Sequence, residues 1–446
     1  RASDTPTTGL LQLGQSLVLF ASSPILDSKR EKEARGTLLG TVAINPAMLK
    51  TLAEQTNLSL SALRIGVDQI GAIEADALNK LTAGGKTSIR EVNQDLLHGY
   101  GLLNDSNGKP VLLFRVDKPR TSYQQALNLR HIMRASLVVA GLLWAALALW
   151  LLNRWILGPI TRLSAEVREI ARAGNSELNV SEWDRGHSLK LRALVIIGTT
   201  MLLLTATLSY LFSQVLTAEF EQIERTEMTQ HVQRALQAVN ERADTLRSKA
   251  IDWGQWDDTY QFVLDRNKDY SEANLIYETL GAIGMSHVLF FDTQHELVTG
   301  RVVDFENESV SAATPAEGAP FKAFVRGASE PKSGYVALDS GILMVALSPI
   351  LDTTRTKNSR GAFVFAMPMG SALSAELAKQ TELELAFATP GQVPAHTQAI
   401  NMNDGISLLV HGSSSITGRV PLVDATGKEL LSIEVNSERQ IYQQGK

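Results

Sequence analysis

Ser23-Pro24-Ile25-Leu26-Asp27 recurs letter for letter as Ser348-Pro349-Ile350-Leu351-Asp352. At the same spacing, Arg35-Gly36 recurs as Arg360-Gly361. Further matches are Leu52-Ala53 with Leu377-Ala378, Gln55-Thr56 with Gln380-Thr381, D-S-N-G-K at 105–109 with D-A-T-G-K at 424–428, and Tyr123-Gln124-Gln125 with Tyr442-Gln443-Gln444. A repeat of this length with one small gap predicts two copies of one domain rather than a solenoid of short units.

Composition bounds the size of the molecule and excludes several kinds of chemistry. With 446 residues, of which 44% are hydrophobic, the chain has material for two or three domains. The net charge is -5 and no dense block of lysine and arginine occurs, so we expect no nucleic-acid partner. Cysteine is absent, which excludes disulfides, thiolate zinc sites and cysteine nucleophiles. The chain starts at Arg1 without a methionine or a signal peptide, so we expect it to be incomplete or processed.

Two uncharged segments of membrane length lie between the two copies. The first is Ala135 to Leu152, with 18 residues, and the second is Ala193 to Phe212, with 20 residues. At about 1.5 Å of rise per residue, each can cross a hydrocarbon core of roughly 30 Å as a helix. We therefore predict transmembrane helices at 133–155 and 191–213. The alternative is that both are buried helices in the core of a large soluble protein.

Charges around these segments predict the orientation of the chain. The loop between them is rich in cations: Arg154, Arg162, Arg168, Arg172, Arg185, Lys190 and Arg192. Such a loop favours the cytoplasmic side of a membrane. The far flank of the second segment is acidic, which agrees, whereas the far flank of the first is basic and does not help. We expect a multi-pass protein of the cell inner membrane with large periplasmic or extracellular regions.

The segment after the first span has the pattern of a signalling helix. Gly158-Pro159 begins it, Gly174 ends it, and the apolar seam of a coiled coil runs between them through Ile160, Leu163, Val167 and Ile170. After a span, this resembles the first helix and connector of a HAMP domain, whose second helix is missing here. The resemblance implies an incomplete cytoplasmic relay at 156–186, and the junction between two receptor pieces is expected near Trp183 to His187. The alternative is an ordinary amphipathic juxtamembrane helix.

Residues 214–250 have the pattern of a long polar helix without glycine or proline. One apolar stripe runs along it, formed by Phe220, Ile223, Val232, Leu236, Val239 and Leu246. We predict a stalk helix that continues from the second span. A homodimer through the stalk and the HAMP-like helices is expected.

The most specific motif follows the stalk and reads D-W-G-Q-W-D-D-T-Y-Q-F at 252–262. In this position it resembles the signature of the fourth CHASE class, which are extracellular sensor domains of bacterial and archaeal histidine kinases, cyclases and chemoreceptors. The resemblance covers roughly 214–438, whereas the partial copy, from Gly9 to about Tyr123, lacks the tryptophan motif. It implies an α/β ectodomain of PAS-like or Cache-like mixed sheets that senses an external signal.

The candidate ligand-binding residues lie in this motif. Trp253, Trp256 and Tyr260 are spaced i, i+3 and i+7, so on one helix they share a face and could line an aromatic pocket. Three nearby carboxylates could bind a cationic or amine group: Asp252, Asp257 and Asp258. The alternative is that the aromatic side chains pack the helix onto a sheet while the aspartates cap or pair with arginine. The spacing matches no calcium loop, and we expect neither a metal nor a cofactor.

The rest of each copy alternates β-like runs with turns. Residues 251–446 predict two mixed α/β layers, one distal and one nearer the membrane, with a Ser/Ala/Glu/Pro-rich loop at about 306–334. The partial copy, 1–130, has predicted strands at 16–23, 37–43, 101–104 and 111–116 and a helix at 46–55. It keeps the proximal layer and only the last strands of the distal layer, which predicts exposed strand edges.

No catalytic set is present in the sequence: it has no Walker loop, nucleophile elbow, H-E-x-x-H, GGDEF, EAL or kinase signature. We therefore predict a non-enzymatic segment of a transmembrane sensory receptor that relays ligand occupancy by helix displacement. The second interpretation is a fragment of a membrane-bound signalling enzyme, a diguanylate cyclase, phosphodiesterase or histidine kinase, whose output domain is missing. The third is a structural membrane protein whose ectodomains bind a protein partner.

Overall fold

The computed structural model describes residues 5–14, 16–26, 33–56, 58–93, 95–154, 184–327, 329–390, 398–401, 405–424 and 426–439. The chain divides into two compact units. One contains Arg1–Val92, Leu96–Lys118 and Glu224–Gln443, and the other contains Asn93–Asp95, Pro119–Ile223 and Gln444–Lys446. Both copies of the repeated domain belong to the first unit.

The first copy consists of two antiparallel sheets and two helices. Strands β1 (Thr7–Leu13), β2 (Ser16–Pro24) and β3 (Thr37–Ala43) form a sheet in the order β1-β2-β3. Strands β4 (Ser59–Arg64), β5 (Ser88–Glu91), β6 (Leu96–Asn104) and β7 (Pro110–Pro119) form a second sheet in the order β4-β7-β6-β5. Helices α1 (Pro46–Thr56) and α2 (Ala72–Thr82) complete the copy. The strands predicted at 16–23 and 37–43 and the helix at 46–55 are confirmed.

Two long helices follow, α3 (Thr121–Leu152) and α4 (Asp184–Gly254). Among the described residues, one segment is long and apolar enough to cross a membrane, Arg134–Leu151. It has 18 residues and a mean hydropathy of 1.8, and most of its side chains are exposed. The second predicted span, 193–212, lies within α4, and its apolar side chains such as Met201 and Leu202 are exposed. Burial in a soluble core, the alternative interpretation, is not observed for either segment in the part that is described. That the second segment crosses a membrane stays a prediction.

The HAMP-like helix cannot be compared with the structure. Its seam residues, Ile160 to Ile170, and Gly174 lie outside the described residues. The predicted junction at Trp183 lies at the edge of the same gap. The relay at 156–186 therefore stays a prediction.

The second copy begins with the layer predicted to be distal, which is built on a six-stranded antiparallel sheet. Helices α5 (Asp257–Asp265), α6 (Lys268–Asn274) and α7 (Tyr277–Ala282) come first. The sheet has the order β10-β9-β8-β13-β12-β11. Its strands are β8 (His287–Phe291), β9 (Leu297–Asp304), β10 (Ser309–Ala312), β11 (Lys332–Leu338), β12 (Gly341–Pro349) and β13 (Ala362–Pro368).

The layer of the second copy predicted to be proximal is a five-stranded antiparallel sheet preceded by a helix, α10 (Ser371–Thr381). The sheet has the order β14-β18-β17-β16-β15. Its strands are β14 (Glu384–Ala388), β15 (Gln398–Asn401), β16 (Ser407–His411), β17 (Ser415–Val423) and β18 (Glu429–Glu438). The mixed α/β layers and the long stalk helix implied by the resemblance are confirmed.

The prediction of a loop at 306–334 is wrong. This segment contains β10, the short helices α8 (Pro315–Gly318) and α9 (Lys322–Val325), and the start of β11. The helical turn begins because Thr314 and Glu317 form a capping box, with each side chain bonded to the other's backbone, and Pro315 stands at the first helical position. Phe321 and Val325 are fully buried against the sheet, so a segment with a loop-like composition is held by a few apolar anchors.

The stalk part of α4 packs on the sheets of its own domain. Its buried face is formed by Met228, Val232, Ala235, Val239, Ala243, Leu246 and Ala250. Val232, Val239 and Leu246 belong to the predicted stripe, whereas the alanines between them do not. Gly418 allows β17 to approach the stalk closely, because a Cβ at that position would lie 2.2 Å from Cγ2 of Val232. A dimer through the stalk, which stays a prediction, would use a different face of the helix.

Candidate functional site

The tryptophan motif forms a corner rather than one continuous helix. Helix α4 ends at Gly254, Trp256 is extended at φ -123° and ψ 136°, and α5 begins at Asp257. The prediction that Trp253, Trp256 and Tyr260 share one helical face is therefore wrong. The reason is that the extended backbone at Trp256 turns the chain between the first aromatic residue and the third. We call residues 252–260 the tryptophan corner.

Two aromatic residues of the corner pack in or against the core: Trp253 is partly buried, and Tyr260 is buried. The ring of Trp253 stacks on Phe363 with centroids 6.2 Å apart and meets Phe365 edge-on at 5.2 Å. The ring of Trp253 therefore fixes the end of the stalk helix to β13, as the packing alternative proposed.

The remaining candidate residues of the motif divide into one that makes hydrogen bonds within the fold and three that face solvent. Asp257 caps the corner, because Oδ1 accepts from the amide of Thr353 at 3.1 Å while the amide of Asp257 donates to Oγ1 of Thr353 at 3.3 Å. Asp252, Asp258 and Trp256 are exposed. These exposed side chains are accessible to a solute. The ligand-binding role of the six candidate residues stays a prediction.

The corner binds to the loop between β12 and β13, which we call the acceptor loop, residues 350–361. The amide of Leu351 donates to the carbonyl of Gly254 at 3.0 Å. The guanidinium of Arg360 lies 3.6 Å from the centroid of the Tyr260 ring and donates to the Tyr260 carbonyl at 2.6 Å. The acceptor loop carries the I-L-D of the repeated S-P-I-L-D and the repeated R-G, while Ser348 and Pro349 end β12. The two motifs that stand out in the sequence therefore bind each other in the fold.

Asp352 holds the acceptor loop in shape. Hydrogen bonds from the Thr354 hydroxyl and the Lys357 amide lower the pKa of Asp352 to about 2. The Lys357 amide lies 2.9 Å from Oδ1, and the Thr356 hydroxyl lies 3.1 Å from Oδ2. The buried carboxylate of Asp352 therefore accepts hydrogen bonds from groups up to five residues further along the loop. The loop that receives the corner is prearranged by its own polar groups.

A second junction lies at the other end of the stalk. Nε and Nη2 of Arg439 each lie 2.8 Å from Oε2 of Glu224, and both side chains are buried. Arg439 directly follows β18, and its Nη1 and amide also donate to the carbonyls of Gly412 and Ser414. We call this ion pair the stalk clip. It ties the base of the stalk helix to the end of the last strand.

The same arginine occurs in the first copy, where β7 leads into α3. The amide of Arg120 donates to the Asp95 carbonyl at 2.8 Å, and its Nη1 donates to the Asn93 carbonyl at 3.4 Å. These acceptors stand in the repeat where Ser414 and Gly412 stand in the second copy. Sequence reasoning missed both arginines. The signal was available, because the repeated tyrosines, Tyr123 and Tyr442, lie three residues after them.

A cleft of about 300 Å³ lies beside the stalk clip. It is lined by Glu224, Glu227, Met228, His231, Ile416, Ser437 and Glu438. Burial, assisted by the charge of Arg234, lowers the pKa of His231, while Glu227 opposes the shift. The cleft therefore lies between the base of the stalk helix and the strands β17 and β18.

Comparison with known proteins identifies the domain. A sequence model of the CHASE4 domain matches residues 1–63 and 238–388. These two segments belong to the CHASE4 family. The first CHASE4 segment extends from the start of the chain into β4, and the second extends from the stalk helix to β14. The partial and the near-complete copies predicted from the repeat are both present.

A curated relative is the methanogenesis regulatory histidine kinase FilI of Methanothrix harundinacea (strain 6Ac). It is 23% identical over 265 residues, which are 58% of this chain and 30% of the relative. Among solved structures, the periplasmic domain of Vibrio cholerae LuxQ matches with a TM-score of 0.31 and 9% identity, over 47% of this chain and 98% of that chain. A domain assigned to the sensory box/GGDEF family from Vibrio parahaemolyticus matches with a TM-score of 0.35 and 8% identity, over 51% and 99%.

Proposed function

We propose that this chain is the sensing and membrane-relay part of a transmembrane receptor. The CHASE4 domain detects a signal outside the cytoplasm and passes it on by displacing the stalk helix. The observation that carries this proposal is the stalk clip, in which Glu224 on α4 is bonded to Arg439 at the end of β18. The clip joins the helix that enters the domain to the strand that leaves it.

The stalk helix is held at two places by different kinds of contact. At the tryptophan corner, Trp253 and Tyr260 pack into the core and bond to the acceptor loop. At the clip, one buried ion pair supports the base of the helix beside an open cleft. A ligand that changed the distal sheet would move the corner, and the cleft leaves space for the opposite end to follow. Helix shifts of about 1–2 Å are sufficient for such switching.

The thermodynamic requirement is that the ligand binds one arrangement of the helix more tightly than the other. A buried ion pair suits a two-state device, because it is strong when its geometry is intact and costly when one partner is displaced. The clip therefore favours two discrete positions of the helix over a continuous range.

The proposed route of the signal in the first copy runs from β7 through Arg120 into α3 and the segment Arg134–Leu151. Support comes from the repeat, since Arg120 makes the same two backbone bonds as Arg439. From there we propose that the signal passes to the HAMP-like helix at 156–186, in a homodimer in the inner membrane. A multi-pass arrangement with the sensor domains in the periplasm is part of the same proposal.

The relay can be tested in lipid nanodiscs with the whole chain, because the absence of cysteine permits site-specific labelling. Spin labels at Gln230→Cys on the stalk and Ser413→Cys beside β16 report the distance across the clip. A panel of amines, amino acids and small carboxylates is first screened for saturable thermal stabilisation. The compound that stabilises should also change the label distance by about 1–2 Å.

Two outcomes contradict this proposal. Stabilisation by a small molecule without any change in distance would show a binding module that does not relay. Stabilisation by a protein partner and by none of the small molecules would favour a structural membrane protein. A label pair within one rigid sheet, Ser413→Cys with Glu434→Cys, is the matched control and should show no change.

A second candidate function is the input part of a signalling enzyme. The similarity to a relative named as a histidine kinase favours it, although the chain covers 30% of that relative. The test is to express the complete coding region around these residues and to measure autophosphorylation with labelled ATP and cyclic-di-GMP synthesis with GTP. Either activity would assign the chain to an enzyme, and a complete product without both would leave the receptor interpretation.

A further inference from the structure

A closed ring of five polar side chains joins helix α2 of the first copy to strands β6 and β7. Nε2 of His98 lies 3.1 Å from Oδ1 of Asp117, and Nε of Arg115 lies 3.0 Å from the same oxygen. Nη1 of Arg115 lies 3.5 Å from Oε1 of Glu74 on α2. We call this group the polar ring, and its members are Glu74, His98, Tyr100, Arg115 and Asp117. His98 and Tyr100 are 8% and 2% exposed, so residues of the first copy itself already bury the centre of the ring.

The Tyr100 hydroxyl closes the ring, because it lies within reach of two acceptors. It is 3.1 Å from Nδ1 of His98 and 3.4 Å from Oε1 of Glu74. Burial, followed by the charge of Glu74, raises the pKa of Tyr100 to about 12, so the hydroxyl keeps its proton at physiological pH. A hydroxyl has one proton to donate. Its direction therefore depends on whether Nδ1 of His98 accepts or donates a hydrogen bond.

The charge of Asp117 determines which nitrogen of a neutral His98 carries the proton. Oδ1 of Asp117 is buried and has no aligned hydrogen bond within the described part of the chain. A carboxylate oxygen in this position favours a proton on the imidazole nitrogen nearest to it, which is Nε2. Nδ1 is then an acceptor, and the Tyr100 hydroxyl donates to it. When both nitrogens carry protons, Nδ1 donates instead, and the hydroxyl turns to Glu74.

The charged groups that face His98 do not balance without a proton on the imidazole. Within the ring, two carboxylates meet one guanidinium. Arg90 stands opposite His98 on β5, and an ion pair with Asp76 of α2 offsets its charge. An imidazolium at His98 would therefore neutralise the remaining negative charge of the ring.

The second copy makes the same contact with side chains that do not titrate. Strands β6 and β7 match β17 and β18 along their whole lengths, at the spacing of the two repeated turns between them. His98 and Asp117 correspond to Thr417 and Asn436, whose side chains form a hydrogen bond of 2.7 Å. A hydroxyl and an amide keep the same charge at all physiological pH values. The proton-binding version of this contact is therefore particular to the first copy.

We propose that the polar ring is a proton switch: protonation of His98 turns the Tyr100 hydroxyl from His98 to Glu74 and ties α2 more firmly to β6 and β7. An imidazole changes its charge between about pH 5 and 8, so the switch responds to mild acid. Strand β7 ends at Pro119 and α3 begins at Thr121, so the ring holds the strand that leads into α3. This inference does not depend on the proposed function.

The first test locates the protons on His98. The full chain in detergent is labelled isotopically at histidine, and nitrogen NMR distinguishes a protonated imidazole nitrogen from an unprotonated one. His98→Thr identifies the His98 signals by their disappearance. At about pH 8 Nε2 should carry the only proton, and at about pH 5 both nitrogens should be protonated.

The second test measures how firmly α2 is held. Hydrogen exchange of its amides is followed at about pH 5 and pH 8 and corrected for the intrinsic effect of pH on exchange. The hydrogen bond that Glu74 gains should raise the protection of α2 about two- to tenfold in acid. Helix α1, which contributes no residue to the ring, is the internal control and should change less than about twofold.

Two variants separate the switch from a purely structural ring. Tyr100→Phe removes the hydroxyl and leaves His98 beside Asp117, so α2 should lose its response to pH while His98 still gains its second proton. The double variant His98→Thr with Asp117→Asn introduces the pair of the second copy. The protection of its α2 should be the same at both pH values.

The proposal is wrong if Nδ1 of His98 carries the proton in the neutral imidazole, since Tyr100 then has no acceptor there. It is also wrong if the protection of α2 in the unsubstituted chain is equal at the two pH values, or if the difference persists in Tyr100→Phe. Because the exchange measurement uses the unsubstituted chain, it decides the question even where a variant does not fold.

Discussion

Nη2 of Arg439 lies 2.8 Å from Oε2 of Glu224, although 215 residues separate them in the sequence. The two side chains are 5% and 7% exposed. One stands at the base of the stalk helix and the other directly after the last strand of the domain. The pair therefore brings together the two ends of the second copy. This charge pair is a structural contact, and it is the contact on which the proposed relay depends.

Glu224→Gln should destabilise the second copy by about 3 kcal/mol, because it leaves the buried Arg439 without its counter-charge. The measurement is urea unfolding of the whole chain in detergent, followed by tryptophan fluorescence. Glu296→Gln is the matched control, since Glu296 pairs with Lys322 at 2.6 Å on the surface. That change should cost less than about 1 kcal/mol. If both variants lose the same free energy of unfolding, the clip contributes no more to stability than a surface ion pair.

Gly418→Ser should separate the stalk helix from β17, because a Cβ at this position would lie 2.2 Å from Cγ2 of Val232. Overpacking of this kind costs about 1–3 kcal/mol. Gly370→Ser is the control, because nothing lies within 4 Å of a Cβ there and serine is a favoured helix N-cap. Adding Val232→Ala to Gly418→Ser should recover part of the loss in urea unfolding. If the second change makes the loss larger, the steric explanation is wrong.

Trp253→Ala should cost about 3–5 kcal/mol, because its ring packs on Phe363 and Phe365 and its removal leaves a cavity. Trp256→Ala is the matched comparison and should cost less than about 1 kcal/mol, since its ring is 40% exposed. Unfolding curves of both variants distinguish the two positions. If Trp256→Ala instead abolishes stabilisation by a ligand while leaving the unfolding midpoint unchanged, the predicted ligand role of the exposed residues is supported.

The stability of the second copy should fall as the pH drops below about 6.5. Burial lowers the pKa of His287, against the charge of Glu317, and burial followed by the charge of Arg234 lowers the pKa of His231. Each imidazole therefore binds a proton more readily in the unfolded chain than in the folded one. The contribution of the two neutral imidazoles to stability is complete above the pKa that they have in the unfolded chain. Below that pH it decreases, because the unfolded chain is protonated first.

Melting temperatures at pH 7.5 and pH 5.5 measure this dependence. The double variant His231→Gln with His287→Gln should show a smaller difference between the two pH values than the unsubstituted chain. If the difference in melting temperature is the same in the double variant, other groups cause the pH dependence. A further decrease is expected near pH 2 to 4, where Asp352, with its pKa lowered to about 2, loses its hydrogen-bonded charge.

The local sequence pattern was sufficient to predict most strands and the presence of two copies of the domain. Strand β3, for example, was predicted at 37–43, directly after the repeated Arg35-Gly36, and it spans Thr37–Ala43. The failures came where a long-range contact overrides local periodicity. Trp256 is extended because the corner bonds to Thr353 and Leu351, almost a hundred residues later. Helix spacing alone could not show that break. The segment at 306–334 has a polar composition, yet Phe321 and Val325 hold it against the sheet.

The sequence by itself determined the number of domain copies, the order of most strands, the stalk and the apolar segment Arg134–Leu151, because these depend on local composition and repetition. Only the tertiary structure decided which residues meet: Trp253 with Phe363, the tryptophan corner with the acceptor loop, and Glu224 with Arg439. The physical reason is that such contacts join parts of the chain about one or two hundred residues apart, which leave no periodic signal.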